Sequence, residues 1–279
     1  MPSPVGPDDV TRPEYLPDPA LSRAEMESLQ RDLAATATFA DDHDLDPDAV
    51  AIDDPADLTA DLPPARPDAG DPDAPVVVGV DQAFLTPDDG ADRAVSAAVA
   101  VRGGVVIEYA SATTPLSIPY VPGLLAFREG EPMLAALDAL DADPDLLVCD
   151  GSGRIHFREA GIATHVGVLL DVPSVGVAKR LLCGEPASST DGRPEGWRTP
   201  IRADESVETA EGGAVIGHAF QSRQYPNSRR VNPLYVSPGH RVSAETTVDL
   251  IAALCAGYKL PEPTRLADAY ADAAKRERE

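Results

Sequence analysis

Apolar residues recur along this chain in two patterns. Val76-Val77-Val78-Gly79-Val80 is nearly continuous, as in a strand buried on both faces. Residues 94–101 and 105–110 read as two further strands joined by the tight turn Arg102-Gly103-Gly104, so the three form an antiparallel meander. Met26, Leu29, Leu33 and Ala37 recur at helical spacing behind a possible N-cap, Ser22. Met133, Leu134, Leu137 and Leu140 mark a second helix ending near Asp141. It leads to a strand at 146–149, which a helical crossover makes parallel to the first. A helix over 160–170, a strand over 174–178, strands over 214–220 and 231–236 and a helix over 243–255 follow, and Thr264 is placed to cap a terminal helix. Residues 183–212 are polar and rich in Gly and Pro, as in an insertion.

A meander followed by alternating helices and strands predicts an α/β fold of ribonuclease H-like order. Its central mixed sheet has a three-stranded antiparallel meander followed by parallel strands, with helices on both faces. The expected divisions are an irregular Pro-rich tail (1–17), an N-terminal helix packed on the core (18–40), an acidic, partly disordered linker (41–75), a catalytic domain (76–270) and a charged end (271–279).

Charge complicates any nucleic-acid reading. The net charge is −24, and residues 1–74 alone hold 19 Asp and Glu against 4 Arg. Asp is abundant throughout and Lys nearly absent, a balance that suits solubility in concentrated salt and says little about a partner. Cys149, Cys183 and Cys255 are odd in number and set in or beside apolar runs, so reduced thiols are expected. No signal peptide or membrane-length apolar run is present, and a cytoplasmic monomer is expected.

The candidate chemistry lies at strand ends. Asp81 closes the first apolar strand, and Asp150 closes the strand at 146–149 and opens Gly151-Ser152-Gly153. In this topology the two strands are neighbours, so their carboxylates converge. Taken alone, Asp81 reads as a solvated strand end opening a turn. Glu129 begins the helix after the meander, where the helix dipole already favours an acid; as a third carboxylate it would complete an oxygen-only site for Mg²⁺ or Mn²⁺. His240, in Ser237-Pro238-Gly239-His240-Arg241, reads as a loop histidine bonded to backbone or as one that positions a water. His156 follows the glycine-rich loop, whereas His165 and His218 read as packed core residues. Pro119-Tyr120-Val121-Pro122 stiffly presents an aromatic, either packed on the core or free to fill the gap left by an extruded base. Arg154, Arg158, Lys179, Arg180, Arg223, Arg229, Arg230 and Arg241 group around these motifs, as for phosphate contacts.

From about residue 21 to 269 the chain resembles the endonuclease V family. The resemblance rests on Gly79-Val80-Asp81, Pro119-Tyr120-Val121-Pro122-Gly123, Phe127-Arg128-Glu129, Asp150-Gly151, Asp171-Val172-Pro173-Ser174-Val175-Gly176-Val177-Ala178-Lys179, Asn232-Pro233-Leu234, Gly239-His240-Arg241-Val242-Ser243 and Leu260-Pro261-Glu262-Pro263-Thr264-Arg265. It implies Mg²⁺-dependent hydrolysis of DNA at the second phosphodiester 3′ to deoxyinosine, leaving 3′-hydroxyl and 5′-phosphate ends. By matched position it implies Asp81, Glu129 and Asp150 as metal ligands, His240 as catalytic, and Lys179 near the scissile phosphate. It further implies Tyr120 as the wedge and Gly123, Leu125, Gly151, Gly153, His156 and Leu182 as the base pocket, with amides of Gly151 and Gly153 reading the base. Ser152 stands where many relatives carry a larger polar residue, and Phe157 where a proline is common. Open alternatives are a ribonuclease H-like nuclease acting on inosine RNA or branched DNA, and a non-catalytic inosine reader.

Overall fold

The computed structural model describes residues 10–59, 61–87, 90–225 and 232–278. One nine-stranded sheet runs through the molecule in the order β3-β2-β1-β4-β5-β9-β8-β7-β6. The meander is β1 (Val76–Leu85), β2 (Arg93–Arg102) and β3 (Val105–Pro115). β4 (Leu146–Asp150) and β5 (Ser174–Ala178) extend it as parallel strands, with Val80 opposite Cys149 and Asp150 opposite Val177. β9 (Leu234–His240) runs antiparallel to β5, and β8 (Val215–Phe220), β7 (Arg198–Arg202) and β6 (Glu185–Pro186) continue outward. The insertion at 183–212 thus supplies two strands. Residue 231, expected to open β9, lies outside the described residues, as do Arg229 and Arg230.

Alternate positions of β1 serve two cores. Val76, Val78 and Val80 meet α3 (Leu125–Leu137) and α4 (Ile162–Leu170) through Ala126, Met133, Ile162 and Val166. Val77 shares the opposite core with α5 (Ala244–Ala253) and α6 (Glu262–Arg276) through Val248, Ile251, Leu266 and Ala267. α1 (Arg23–Thr36) begins with a reciprocal capping box between Ser22 and Glu25. At α6 the cap differs from expectation: Pro261 is the N-cap, and the Thr264 hydroxyl donates back to the Pro261 carbonyl.

The described parts of the acidic stretch, residues 41–59 and 61–75, run over the core as a strap. It contains α2 (Pro47–Val50), buries Val50 and Ile52 in the α5–α6 core, and donates Ile52 N–H to Ala253 O and Arg66 N–H to Val106 O. Leu45, Ala56 and Leu58 pack against the same core, so a few apolar anchors amid many Asp dock it, a signal that composition averages away.

Candidate active site

Asp81 and Asp150 occupy consecutive register positions on β1 and β4, just past the Val80–Cys149 pair, so they stand side by side. Asp81 is buried; Gln82 N–H donates to its Oδ1 at 2.6 Å, and its Oδ2 has no hydrogen-bond partner. Burial and the neighbouring Asp150 push its pKa up to about 9. Lys179, just past β5, donates to Asp150 Oδ2 at 3.1 Å. Burial works against the lysine's charge, but Asp150 and Asp81 more than offset it and raise its pKa.

Glu129 reaches the same group from α3. Burial lifts its pKa to about 7, with Asp150 adding to the rise. Gln82 ties the elements together: its side-chain N–H₂ donates to Glu129 O at 2.8 Å, and its Oε1 is buried without a partner.

A fourth carboxylate went unread in the sequence. α6 runs alongside β1, with the Pro263–Thr264 backbone against Gly79 (a Cβ there would sit 2.2 Å from the Pro263 carbonyl) and Ala271 against Ala83. Asp268 falls between these contacts and adds its charge to those acting on Asp81 and Lys179. An exposed Asp at the border of an amphipathic helix gives no local hint of this.

Among the described residues no three acids are already closed around a point as a preformed metal cage. What fits a divalent ion is the chemistry: hard oxygen donors, and two buried acceptors, Asp81 Oδ2 and Gln82 Oε1, that lack any donor.

Beside the carboxylates lies a cavity of about 100 Å³, lined by Tyr120, Gly123, Leu125, Ser152, His156 and Leu182 among others. That is a small fraction of a drug-sized pocket and suits one ring system. Tyr120 stands at its mouth, 66% exposed. His156 is buried and neutral, its pKa held down to about 4 by burial and by Arg158. Its Nδ1 accepts from Arg158 N–H and its Nε2 donates to Gly123 O. The same carbonyl accepts from Gln30 on α1 and from Arg158, so a buried polar network fixes the Tyr120 loop. Phe157 packs over Gly123. A larger hollow of about 630 Å³ on the outer face of α1 is lined by Glu14, Glu25 and Asp32 and would repel phosphate.

Three expectations are corrected. Gly151 and Gly153 do not offer amides to a base: Gly151 N–H donates to Val177 O and Gly153 N–H to Ser237 Oγ. They are glycines because the turn is pressed into the sheet, a Cβ on Gly153 lying 2.2 Å from Pro238 O. His240 is the last residue of β9 rather than a loop residue, and pairs with Ser174, which itself pairs with Leu147. That puts it roughly 10 Å back along the strands from Asp150 and two strands across. There it is buried, its Nε2 donating to Asp171 Oδ1 at 3.0 Å and its Nδ1 accepting from Thr38 N–H. Four of the six described members of the basic group pair with acids outside the site. Arg154 pairs with Glu159, Arg158 with Glu208, Arg223 with Glu195 and Arg241 with Asp42. His165 and His218 are buried, as expected, and the three cysteines are free thiols.

A ribonuclease H-like sheet whose adjacent parallel strands end in paired carboxylates, beside a slot for one ring, defines the class: a phosphodiester-cleaving nuclease. Residues 65–269 match the Endonuclease V family model. The endonuclease V of Natronomonas pharaonis is 57% identical, covering 96% of this chain and 97% of its own. That of Haloarcula marismortui is 58% identical, covering 95% and 96%. The crystal structure of endonuclease V from Streptomyces avermitilis superposes with a TM-score of 0.67 at 35% identity, over 92% of this chain and 95% of its own. That of Ciona intestinalis, solved in complex with DNA containing an inosine followed by a ribo-adenosine, superposes at 0.65 with 25% identity, over 92% and 98%. The chain belongs to the endonuclease V family, and is a nuclease of DNA repair.

Proposed function

We propose that this nuclease uses Mg²⁺ or Mn²⁺ to hydrolyse DNA at the second phosphodiester 3′ to deoxyinosine, leaving 3′-hydroxyl and 5′-phosphate ends. The observation that carries the reading is the in-register pair Asp81–Asp150, with Asp81 Oδ2 buried and unpartnered. Asp81, Asp150, Glu129 and Asp268 would hold the ion, which when bound polarises the phosphate and acidifies an attacking water. Lys179 anchors Asp150 and is half-exposed, free to meet the scissile phosphate. The cavity takes the extruded base: Gly123, Leu125, Ser152 and Leu182 wall it, and neutral His156 is fixed behind it by Gly123 O. Tyr120 at the mouth stacks into the gap left in the duplex. The inosine-containing DNA bound by the Ciona intestinalis relative supports this choice of base. His240 has no part in the chemistry. No helix among the described residues is long and apolar enough to cross a membrane.

A non-catalytic reader would gain nothing from burying one carboxylate against another, because the repulsion costs stability unless a cation relieves it. The test is nicking of oligonucleotides carrying inosine in DNA, inosine in RNA, or a branch, with and without Mg²⁺ or Mn²⁺. Metal-dependent nicking of inosine DNA 3′ to the lesion is expected. Binding without nicking would leave the reader, and preferential cleavage of RNA or branches would replace the substrate.

A further inference from the structure

We propose that Lys259 is a second substrate-contacting lysine, which takes a phosphate of the DNA strand just 3′ to the cut; the inference rests on the proposed function. The chain has three lysines, Lys179, Lys259 and Lys275, and the fold brings the first two to the same end of the sheet. Ala178 pairs with Tyr235 and Phe220 with Leu234, so Lys179 comes level with Phe220, two strands and about 10 Å away. Ser222, two residues past β8, donates its hydroxyl to Lys259 O at 2.6 Å. Leu260 packs against the α5–α6 core, and Glu262 N–H closes the loop on Leu254 O at 2.8 Å. The backbone of Lys259 is thus held, while among the described residues its ammonium has no hydrogen-bond or ion-pair partner. The nearby Arg265 differs, because its guanidinium pairs with Glu262 and lies over the Tyr258 ring. Burial and the charge of Lys179 both work against the protonated form of Lys259. A phosphate beside the two lysines relieves that repulsion.

The two faces of the sheet set the direction. The base slot is walled by Leu125 and Ala126 of α3 and Ile162 of α4, on the face to which Val78 and Val80 belong. Lys259 lies on the opposite face, in the loop that carries the chain from α5 over β8 and β9 to α6 over β1. The strand ends that bear Asp81, Asp150 and Lys179 separate the two. With the base in the slot and the cut phosphate at the carboxylates, the strand 3′ to the cut continues over the sheet end toward Lys259. At about 3.4 Å per nucleotide, the 10 Å beyond Lys179 spans about three nucleotides, so the contact falls on one of the first three phosphates past the cut. A lysine suits that place: its ammonium is a point charge on a flexible stem, which positions a backbone without reading a base.

The experiment pairs Lys259→Gln with inosine duplexes in which a neutral methylphosphonate replaces the first, second or third phosphate past the cut, beside the unmodified duplex. Melting curves check that the fold survives; Lys259→Met, which keeps the apolar stem, replaces the Gln variant should that one misfold. On the unmodified duplex Lys259→Gln should raise KM about five- to tenfold with kcat within about twofold, and the slope of log KM against log salt should fall by roughly 1. Lys259→Arg, which keeps the charge, should stay within about twofold of wild type. One of the methylphosphonates should weaken wild type by the same factor and leave Lys259→Gln unaffected, because each change removes one partner of a single contact. An unchanged KM in Lys259→Gln, or an equal loss in both proteins at every modified position, overturns the contact. Fluorescence anisotropy reads the same comparisons as affinities. A wild type that binds the duplex without nicking it overturns the proposed function instead, and the coupling between Lys259→Gln and the methylphosphonate, present or absent in those affinities, still decides the contact.

Discussion

The two ends of the central parallel strands contrast sharply. At one end Asp81, Asp150, Glu129 and Asp268 crowd together, one carboxylate oxygen has no donor, and two pKa values are driven up to about 9 and 7. At the other end His240, Asp171, Arg241 and Thr38 are just as polar, yet both ring nitrogens of His240 are bonded and Arg241 donates to Asp171 O and Asp42 O. A satisfied buried network stabilises a fold, whereas buried like charges destabilise it and persist where a ligand relieves them. Residue type alone would put the histidine in the chemistry; its bonded ring nitrogens and its distance along the strands support the proposal that leaves it out.

Breaking the contrast should give opposite outcomes at the two ends. Asp81→Asn or Asp150→Asn should lower cleavage by on the order of a thousandfold or more, while apo Asp81→Asn melts no lower than wild type because the cost of keeping an acid buried and protonated beside Asp150 is removed. His240→Ala should do the reverse, costing about 1–3 kcal/mol of stability while turnover of the folded protein stays within about twofold. Kinetics beside calorimetric melting would decide, and a cleavage-dead, stably folded His240 variant would end the comparison. Asp268→Asn should come next, with a loss of about ten- to a hundredfold restored in part by raised Mn²⁺; full activity would confine the site to the strand-end acids and Glu129. Tyr120→Ala should raise KM for inosine in duplex about five- to tenfold and for single strand much less, since only the duplex leaves a gap to fill; equal effects would remove the wedge.

The smallest effect sharpens the structural side. Burial holds His156 and His165 down to about 4, so both are neutral in the fold and take up protons on unfolding below their ordinary value near 6.5. The unfolded state then binds more protons between about pH 4 and 6.5, and stability falls as pH drops through that window. His165 lies away from the site, bonded to Tyr15 O, and His165→Gln should flatten the dependence of the melting temperature on pH there. An unchanged slope would show that the ring is not buried neutral.

Much of this was legible in the sequence because the patterns were local. The β-branched run of β1, the Arg102-Gly103-Gly104 turn and the crossover to β4 announced the order of the sheet and set Asp81 beside Asp150. Pro119-Tyr120-Val121-Pro122 left the aromatic either packed on the core or free, and Tyr120 is exposed. The misreadings concerned facts that only tertiary packing decides. Pro238-Gly239 read as a loop, but Gly239 lets β9 press against Ala163 and Ser174 and carries the strand on to His240. Gly153 looked like an open amide and is spacing for Pro238. Asp268 went unread because Asp81, which its charge acts on, lies far away in the sequence.

The most direct test of the paired carboxylates is calorimetric titration of the apo protein with Mn²⁺ at pH 7.5 in buffers of differing ionisation enthalpy. Asp81, raised to about 9, holds its proton at that pH, so binding should release roughly one proton, tighten as pH rises toward 9 and vanish in Asp81→Asn and Asp150→Asn. Binding with no proton released, or unchanged in both variants, would place the ion elsewhere and contradict the account.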